Sequence, residues 1–207
     1  MTKEIEEPIK IILLGDSGVG KSNIISRYLK NEFNSKSIST IGTTFGVKQI
    51  IKNNIIYNLN IWDTTGQEAY RSVTKLFIQG AKIVILVYSI EEPDSLENLN
   101  FWYDSIKEIC GKNIILAIVG NKSDLLYDDN IELKKYVPDE EGQKLAEEKN
   151  AIFKLTSAKI DKKGIDSLFE ELLDEYINSN INIGKKGESL KINKKNNNKK
   201  GKKKKHC

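Results

Sequence analysis

The sequence predicts an α/β domain on a mainly parallel sheet, followed by a basic, unfolded tail. Three observations carry this. Apolar runs of strand length alternate with longer stretches of helical period between Ile9 and Ile177, which is the pattern of repeated βαβ units. The first of these runs is stopped by a glycine and leads straight into a helical stretch. After Asn178 the apolar period stops, and Lys, Asn, Gly and Ser dominate.

Taken in order, Ile9–Gly15 (IKIILLG) is short, β-branched and glycine-ended, which marks a buried strand, and a helix is expected from Gly20 to Lys30. Phe45–Lys52 and Ile55–Trp62 are two further strands. The Asn53-Asn54 pair between them tolerates the positive φ of a tight hairpin, so this unit adds an antiparallel edge. Ile83–Tyr88 is a strand, Asp94–Cys110 a helix, Ile114–Val119 a strand and Asp139–Lys149 a helix, and Ile152–Leu155 and Ile165–Ile177 close the series as strand and helix. The segment beyond Asn178 cannot bury enough surface to offset its ordering entropy and is expected to be disordered.

Charge is divided along the same boundary. Of the 207 residues, 33 are Lys or Arg and 29 Asp or Glu, a net +4, but Lys185–Cys207 alone holds eleven Lys against one Glu. Residues 1–184 are therefore left with 22 basic against 28 acidic side chains, a net −6. An acidic body excludes an even basic skin that wraps a nucleic-acid duplex, and no specific nucleic-acid partner is expected. Two cysteines, Cys110 and Cys207, make no disulfide framework and point to a reducing, intracellular compartment. No run approaches the roughly 18 apolar residues of a membrane span, and MTKEIEEPIK lacks a signal-peptide layout. Thr2 stands where N-myristoylation requires glycine. The only histidine is His206, in the tail, so His-based chemistry is excluded from the folded body.

The strand ending at Gly15 runs into Gly15-Asp16-Ser17-Gly18-Val19-Gly20-Lys21-Ser22, which fits the phosphate loop G-x-x-x-x-G-K-[ST]. Its glycines let successive N–H groups turn inward on phosphate oxygens, and the helix beginning there adds its own unpaired N–H groups and dipole. Ser17, Gly18, Val19, Gly20, Lys21, Ser22 and Asn23 are thus expected to wrap the phosphates, with Lys21 bridging the β and γ groups and the Ser22 hydroxyl on Mg²⁺. The loop alone leaves ATP and GTP both open.

Gly120-Asn121-Lys122-Ser123-Asp124 follows a later strand, on the same rim of the sheet. A carboxylate at Asp124 can accept from both N1–H and the N2 amine of guanine. Adenine offers no such donor pair and would leave the carboxylate unpaired. Thr156-Ser157-Ala158-Lys159, after the last strand, supplies N–H groups for a purine oxygen. Between these lie Asp63, placed for a Mg²⁺ shell, and Gly66, placed to bring its N–H to a γ-phosphate; upstream, Thr40 offers a hydroxyl from a loop.

The motifs GDSGVGKS, STIG, WDTTGQE, GNKSD and TSAK, in this order, resemble the Ras superfamily of small GTPases, and STIG followed by Phe45, WDTTGQEAYRSVT, LVYSI and the cysteine-ended tail look like its Rab family. The resemblance covers residues 8–177. It implies a phosphate-loop GTPase fold: a six-stranded, mostly parallel sheet with one antiparallel edge strand and about five helices on both faces. It implies a GTPase domain over 1–178 and a tail over 179–207, with GTP or GDP and Mg²⁺ as ligands. By the same resemblance Ser22 and Thr40 ligate Mg²⁺ directly and Asp63 through water. Gly66 donates to the γ-phosphate, Gln67 orients the attacking water, and Asn121, Lys122, Asp124, Ser157, Ala158 and Lys159 hold the base. Phe45, Trp62 and Phe77 match an aromatic triad that faces effectors, as against ordinary core packing at a sheet edge.

Thr65 and Ala69 stand where the family usually has Ala and Arg. Neither change touches a nucleotide-binding group. The resemblance implies a monomeric switch that hydrolyses GTP slowly, is served by an exchange factor and an activating protein, and cycles between cytosol and the cytoplasmic face of intracellular membranes in vesicle trafficking. A GTP-binding adaptor with little regulated hydrolysis is the alternative. The tail's lysines and a geranylgeranyl group on Cys207 would form a two-signal membrane anchor. Against that, the ending Lys204-Lys205-His206-Cys207 has no C-a-a-X box and a single cysteine, which leaves palmitoylation, or a plain basic tail, as the other readings.

Overall fold

The structure, a computed structural model, describes residues 3–4, 7–35, 43–64, 76–110, 114–128 and 136–180. The expectations placed on Thr40, Thr65, Gly66, Gln67, Ala69 and the tail from 181 onward lie outside these residues.

The strands are β1 (Lys3–Glu4), β2 (Ile9–Leu14), β3 (Thr43–Lys52), β4 (Ile55–Thr64), β5 (Ile83–Ser89), β6 (Ile115–Asn121) and β7 (Ile152–Leu155). They form one sheet in which β4, β2, β5, β6 and β7 run parallel in that order and β3 is antiparallel to β4. This is the expected six-stranded sheet with one antiparallel edge. The addition is β1, two residues long, which pairs with β4 through Lys3↔Ile55 and Glu4↔Ile56. The hairpin turns at Asn53 and Asn54, whose φ values of 52° and 60° are those of a two-residue turn matched to strand twist.

The helices are α1 (Lys21–Lys30), α2 (Pro93–Glu97), α3 (Leu99–Cys110), α4 (Asp139–Lys149) and α5 (162–180). One helix was expected over 94–110; the chain makes two. At Asn98 the backbone bonding tightens, from Asn98 N–H on the Asp94 carbonyl (2.9 Å) to Phe101 N–H on the Asn98 carbonyl (3.1 Å), one residue closer in sequence. Asn98 keeps right-handed helical angles (φ −66°, ψ −15°), so the break is one of hydrogen-bond register, and the Asn98 side chain is turned to a use described below.

Strand β5 is buried along its whole length, as a central parallel strand covered on both faces must be. On one face Ile12, Leu14, Val84, Leu86, Leu116 and Ile118 pack with Leu99, Trp102 and Ile106 of α3 and Ala146 of α4. On the other lies α1, whose Leu29 fills the space over Gly46 and whose Tyr28 stacks on Phe169 of α5 at 3.7 Å. The chain divides into two compact units, Met1–Leu172 and Leu173–Cys207; in the second the described residues, 173–180, are helical.

Candidate functional site

The parallel strands β2 and β6 deliver their carboxyl ends to the same rim, and a cavity of about 400 Å³ opens there. Eleven of the expected residues line it: Ser17, Gly18, Gly20, Lys21, Ser22, Asn23, Asn121, Lys122, Asp124, Ala158 and Lys159. The phosphate loop and the two base-loop segments, more than a hundred residues apart in sequence, are therefore brought to one site.

The loop's turn depends on two glycines. A Cβ on Gly15 would stand 2.1 Å from the Val87 carbonyl oxygen of the neighbouring strand. Gly20 has φ 98° and caps α1, and a Cβ there would meet Asn121 Nδ2 at 2.2 Å. Only glycine admits that amide, and the amide ties the site together. Asn121 Nδ2 donates to the Val19 carbonyl at 2.8 Å, while Asn121 Oδ1 accepts from Ala158 N–H at 3.2 Å and Thr156 Oγ1 at 3.5 Å. Asn121 was expected in a loop after the strand; it is the last residue of β6, so its side chain is set by the sheet. Lys122, at φ 67°, then turns the chain out of the strand.

Lys21 is buried, its ammonium donating to the carbonyls of Gly15 (2.9 Å) and Asp16 (2.7 Å). Burial pushes its pKa down to about 8, against the opposing pull of Asp63 and Asp16. Two of its three N–H groups are committed, leaving one for an anion, which would relieve the desolvated charge. Asp63 is buried on β4, one residue before the strand's end. Ser22 and Asp63 are hard oxygen donors of the kind Mg²⁺ takes. Among the described residues no cluster of three or more His, Cys, Asp or Glu exists, so a metal here would need phosphate oxygens and water to complete its shell. That set fits Mg²⁺ bound with a nucleotide.

At the base end Ser157 Oγ donates to Asp124 Oδ1 at 2.5 Å, and Lys159 Nζ lies 3.5 Å from Asp124 Oδ2. Val19 and Ser157, both expected at the site, are buried behind the wall, Val19 acting through its carbonyl and Ser157 through its hydroxyl. The N–H groups of Ala158 and Lys159, expected to meet a purine oxygen, make long 3.2 Å bonds to Asn121 Oδ1 and Ser157 Oγ. At that length the Ala158 N–H is readily shared with a better acceptor.

Other residues belong to the site without any motif to mark them. Phe33, Ser35, Glu91 and Leu125 line the cavity, joined by Thr64 of the WDTTGQE motif, which carried no expected role there and is held by its hydroxyl on the Leu13 carbonyl at 2.6 Å. Glu91 pairs with Lys122 at 2.5 Å. Asp16 in the phosphate loop accepts from Asn98 Nδ2 at 2.7 Å and Trp102 Nε1 at 3.3 Å, so the residue at the helix break is tied to the phosphate loop. A pair such as 16 with 98 leaves no local spacing signal in a sequence.

The aromatic triad is a contiguous ladder: Phe45 stacks on Trp62 at 5.3 Å, and Trp62 meets Phe77 at 5.9 Å. Phe45 is 60% exposed, so the ladder's open end is surface and not core.

A Ras-family model matches residues 10–178. The chain is 40% identical over 172 residues to GTP-binding protein ypt3 of Schizosaccharomyces pombe, an overlap of 83% of this chain and 77% of that protein. It is 39% identical over 166 residues to Ras-related protein RABA1b of Arabidopsis thaliana, covering 80% and 74% respectively. A sheet of this order, a phosphate loop and base loops meeting on one rim, and likeness along most of the chain place this protein in the Ras family, among the Rab-type small GTPases, which bind guanine nucleotide and hydrolyse GTP.

Proposed function

We propose that the chain is a Mg²⁺-dependent switch in membrane trafficking, with residues 1–178 as the GTPase domain and 179–207 as a membrane-facing leash. The observation that carries this reading is the single cavity in which the phosphate loop and the Asn121–Asp124 segment meet. Asp124, held by Ser157, would select guanine by accepting from its N1–H and N2 amine, with Asn121 and Lys122 helping to hold the base. Loop N–H groups from Ser17 to Asn23 and the third proton of Lys21 bind the phosphates. Ser22 and Thr40, with Asp63 through water, would hold Mg²⁺, which when bound neutralises charge on the phosphate oxygens.

Hydrolysis is then a matter of positioning. Gln67 orients the attacking water, and Gly66 N–H and Thr40 bind the γ-phosphate side. Arg27 is engaged elsewhere in the fold, so no arginine among the described residues is free to reach the γ-phosphate, and turnover is slow. An activating protein supplying cationic groups accelerates it by roughly 10³–10⁵. Loss of the γ-phosphate releases the segments around Thr40 and Gly66, which is the switch. Effectors read those segments together with Phe45, Trp62 and Phe77; an exchange factor reloads the monomer. The eleven tail lysines and a lipid on Cys207 attach it to the cytoplasmic face of a membrane. Among the described residues no helix is long and apolar enough to cross one.

Single-turnover hydrolysis tests the chemistry: Gln67→Leu is expected to slow GTP cleavage at least about tenfold while leaving GTP binding intact. An unchanged rate would overturn the role of Gln67. For the leash, a tagged protein is expected to lose its membrane pool on Cys207→Ser.

A further inference from the structure

Arg27 lies on α1 and does not line the cavity, yet four of its five N–H groups are committed. Nη1 donates to the carbonyl and side-chain oxygens of Asn31, the residue that caps α1, at 3.0 Å each. Nε and Nη2 reach across the fold to two successive carbonyls, Ala158 and Lys159, at 2.8 Å each. We propose that Arg27 is a positioning residue for guanine selection, acting through the backbone of 158–160 and Ser157 to hold the Asp124 carboxylate in place.

The route can be followed bond by bond. Gripping the Ala158 and Lys159 carbonyls fixes two consecutive peptide planes. The N–H groups on the far side of those planes, Lys159 and Ile160, both donate to Ser157 Oγ at 3.2 Å. A serine hydroxyl has two acceptor sites and one proton. With both acceptor sites taken, the proton has one direction left, and it goes to Asp124 Oδ1 at 2.5 Å. Ser157 is 1% exposed, so water does not stand in for these donors. A rigid fork on α1 thereby sets the orientation of the base-selecting carboxylate without touching the ligand. Lysine lacks the planar fork whose donors point in fixed directions, so its single ammonium would hold the two carbonyls less rigidly. Because α1 also begins at the phosphate loop, the same helix fixes both ends of the site.

This inference rests on the assignment of Asp124 to the guanine N1–H and N2 groups, and the test separates the two. GDP and IDP differ only in the 2-amino group that Asp124 would accept from. Their dissociation constants are measured for the full chain, Arg27→Ala, Arg27→Lys, Ser157→Ala and the Arg27→Ala/Ser157→Ala pair, by displacement of a fluorescent GDP. The unsubstituted protein is expected to prefer GDP by at least about tenfold. Arg27→Ala and Ser157→Ala should each cut that preference by about threefold to tenfold, and the pair should cut it no further than the larger single effect. Arg27→Lys keeps the charge and stem and should show a smaller fall in the same direction, and it carries the test where Arg27→Ala does not fold. Equal weakening of GDP and IDP in both Arg27 variants would make Arg27 a structural tie only and overturn the proposal. Additive falls in the pair would overturn the route through Ser157. Absence of any GDP preference in the unsubstituted protein would overturn the base assignment and this inference with it.

Discussion

Asn121→Asp is expected to weaken nucleotide binding more than Asn121→Ala, although Asp is the closer match in shape. Asn121 is 2% exposed, and its two ends face opposite chemistries: a carbonyl at 2.8 Å from Nδ2 and an N–H at 3.2 Å from Oδ1. Alanine orphans both partners at about 1–3 kcal/mol each. In the free protein water entering the open cavity can reach both orphaned groups. With the base bound, its oxygen takes the Ala158 N–H and the filled site shuts water from the Val19 carbonyl, so that carbonyl's cost falls on the bound state alone. About 1–3 kcal/mol corresponds to roughly 5- to 150-fold in affinity. Aspartate keeps the acceptor toward Ala158 but sets an oxygen against the Val19 oxygen and buries a negative charge beside the phosphates. That costs several kcal/mol, or about 10³-fold or more. The assay is release of a fluorescent GDP into excess unlabelled GDP, with thermal unfolding at saturating GDP as the control for folding. An Asp variant that releases within about threefold of the unsubstituted protein, or more slowly than the Ala variant, would refute a donor at the Val19 end.

Tyr88 Oη is buried with no hydrogen-bond partner among the described residues, so Tyr88→Phe should raise stability by about 1 kcal/mol in a denaturant titration. Gly142→Ala in α4 should do the opposite of what helix propensity implies: the new Cβ would lie 2.4 Å from Tyr88 Oη and 2.6 Å from Phe153 Cε2, costing about 1–3 kcal/mol, and Tyr88→Phe should recover part of it. Burial pushes the Cys110 thiol pKa up, with Lys10 pulling weakly the other way, so in a Cys207→Ser background maleimide labelling at pH 8 should run at least about tenfold slower than that of free glutathione. Chelation of Mg²⁺ should speed GDP release by about tenfold or more, and Ser22→Ala should blunt that response, since Ser22 is proposed to hold the ion.

Most of the sheet was legible because its signals are local. Runs such as IILL (11–14) and IVILVY (83–88) are buried on both faces and hence continuously apolar, and Asn53-Asn54 carries its own turn chemistry. The ligand-facing groups were legible for the same reason: the phosphate loop and the Asn121–Asp124 segment are short contiguous motifs whose spacing the chemistry dictates. What was not legible lies across the sequence. The break at Asn98 was invisible because helical period continues through it, and so was the tie from Asn98 to Asp16, 2.7 Å away. Arg27 belongs to none of the motifs, and nothing nearby in the chain marks carbonyls 131 and 132 residues on as its partners. Glu91 is one acidic residue among many until Lys122 is placed beside it.

These unmarked residues have a common effect. Asp16 is held by α3, Lys122 by Glu91 after β5, the 158–160 backbone by α1, and Val19 by the end of β6. Among the described residues, each segment proposed to meet the nucleotide is therefore pinned from behind by a different element. A loop pinned in this way loses little entropy when the ligand arrives, so contacts that would each be weak on a mobile loop are strong here. The pins also share residues: Ala158 is tied through its N–H to Asn121 and through its carbonyl to Arg27, and Asn121 is tied to the phosphate loop. Loosening the base end therefore loosens the phosphate end. Losses from substitutions at the two ends should not add, and a partner protein that breaks one tie releases the whole nucleotide without reaching both ends of the cavity.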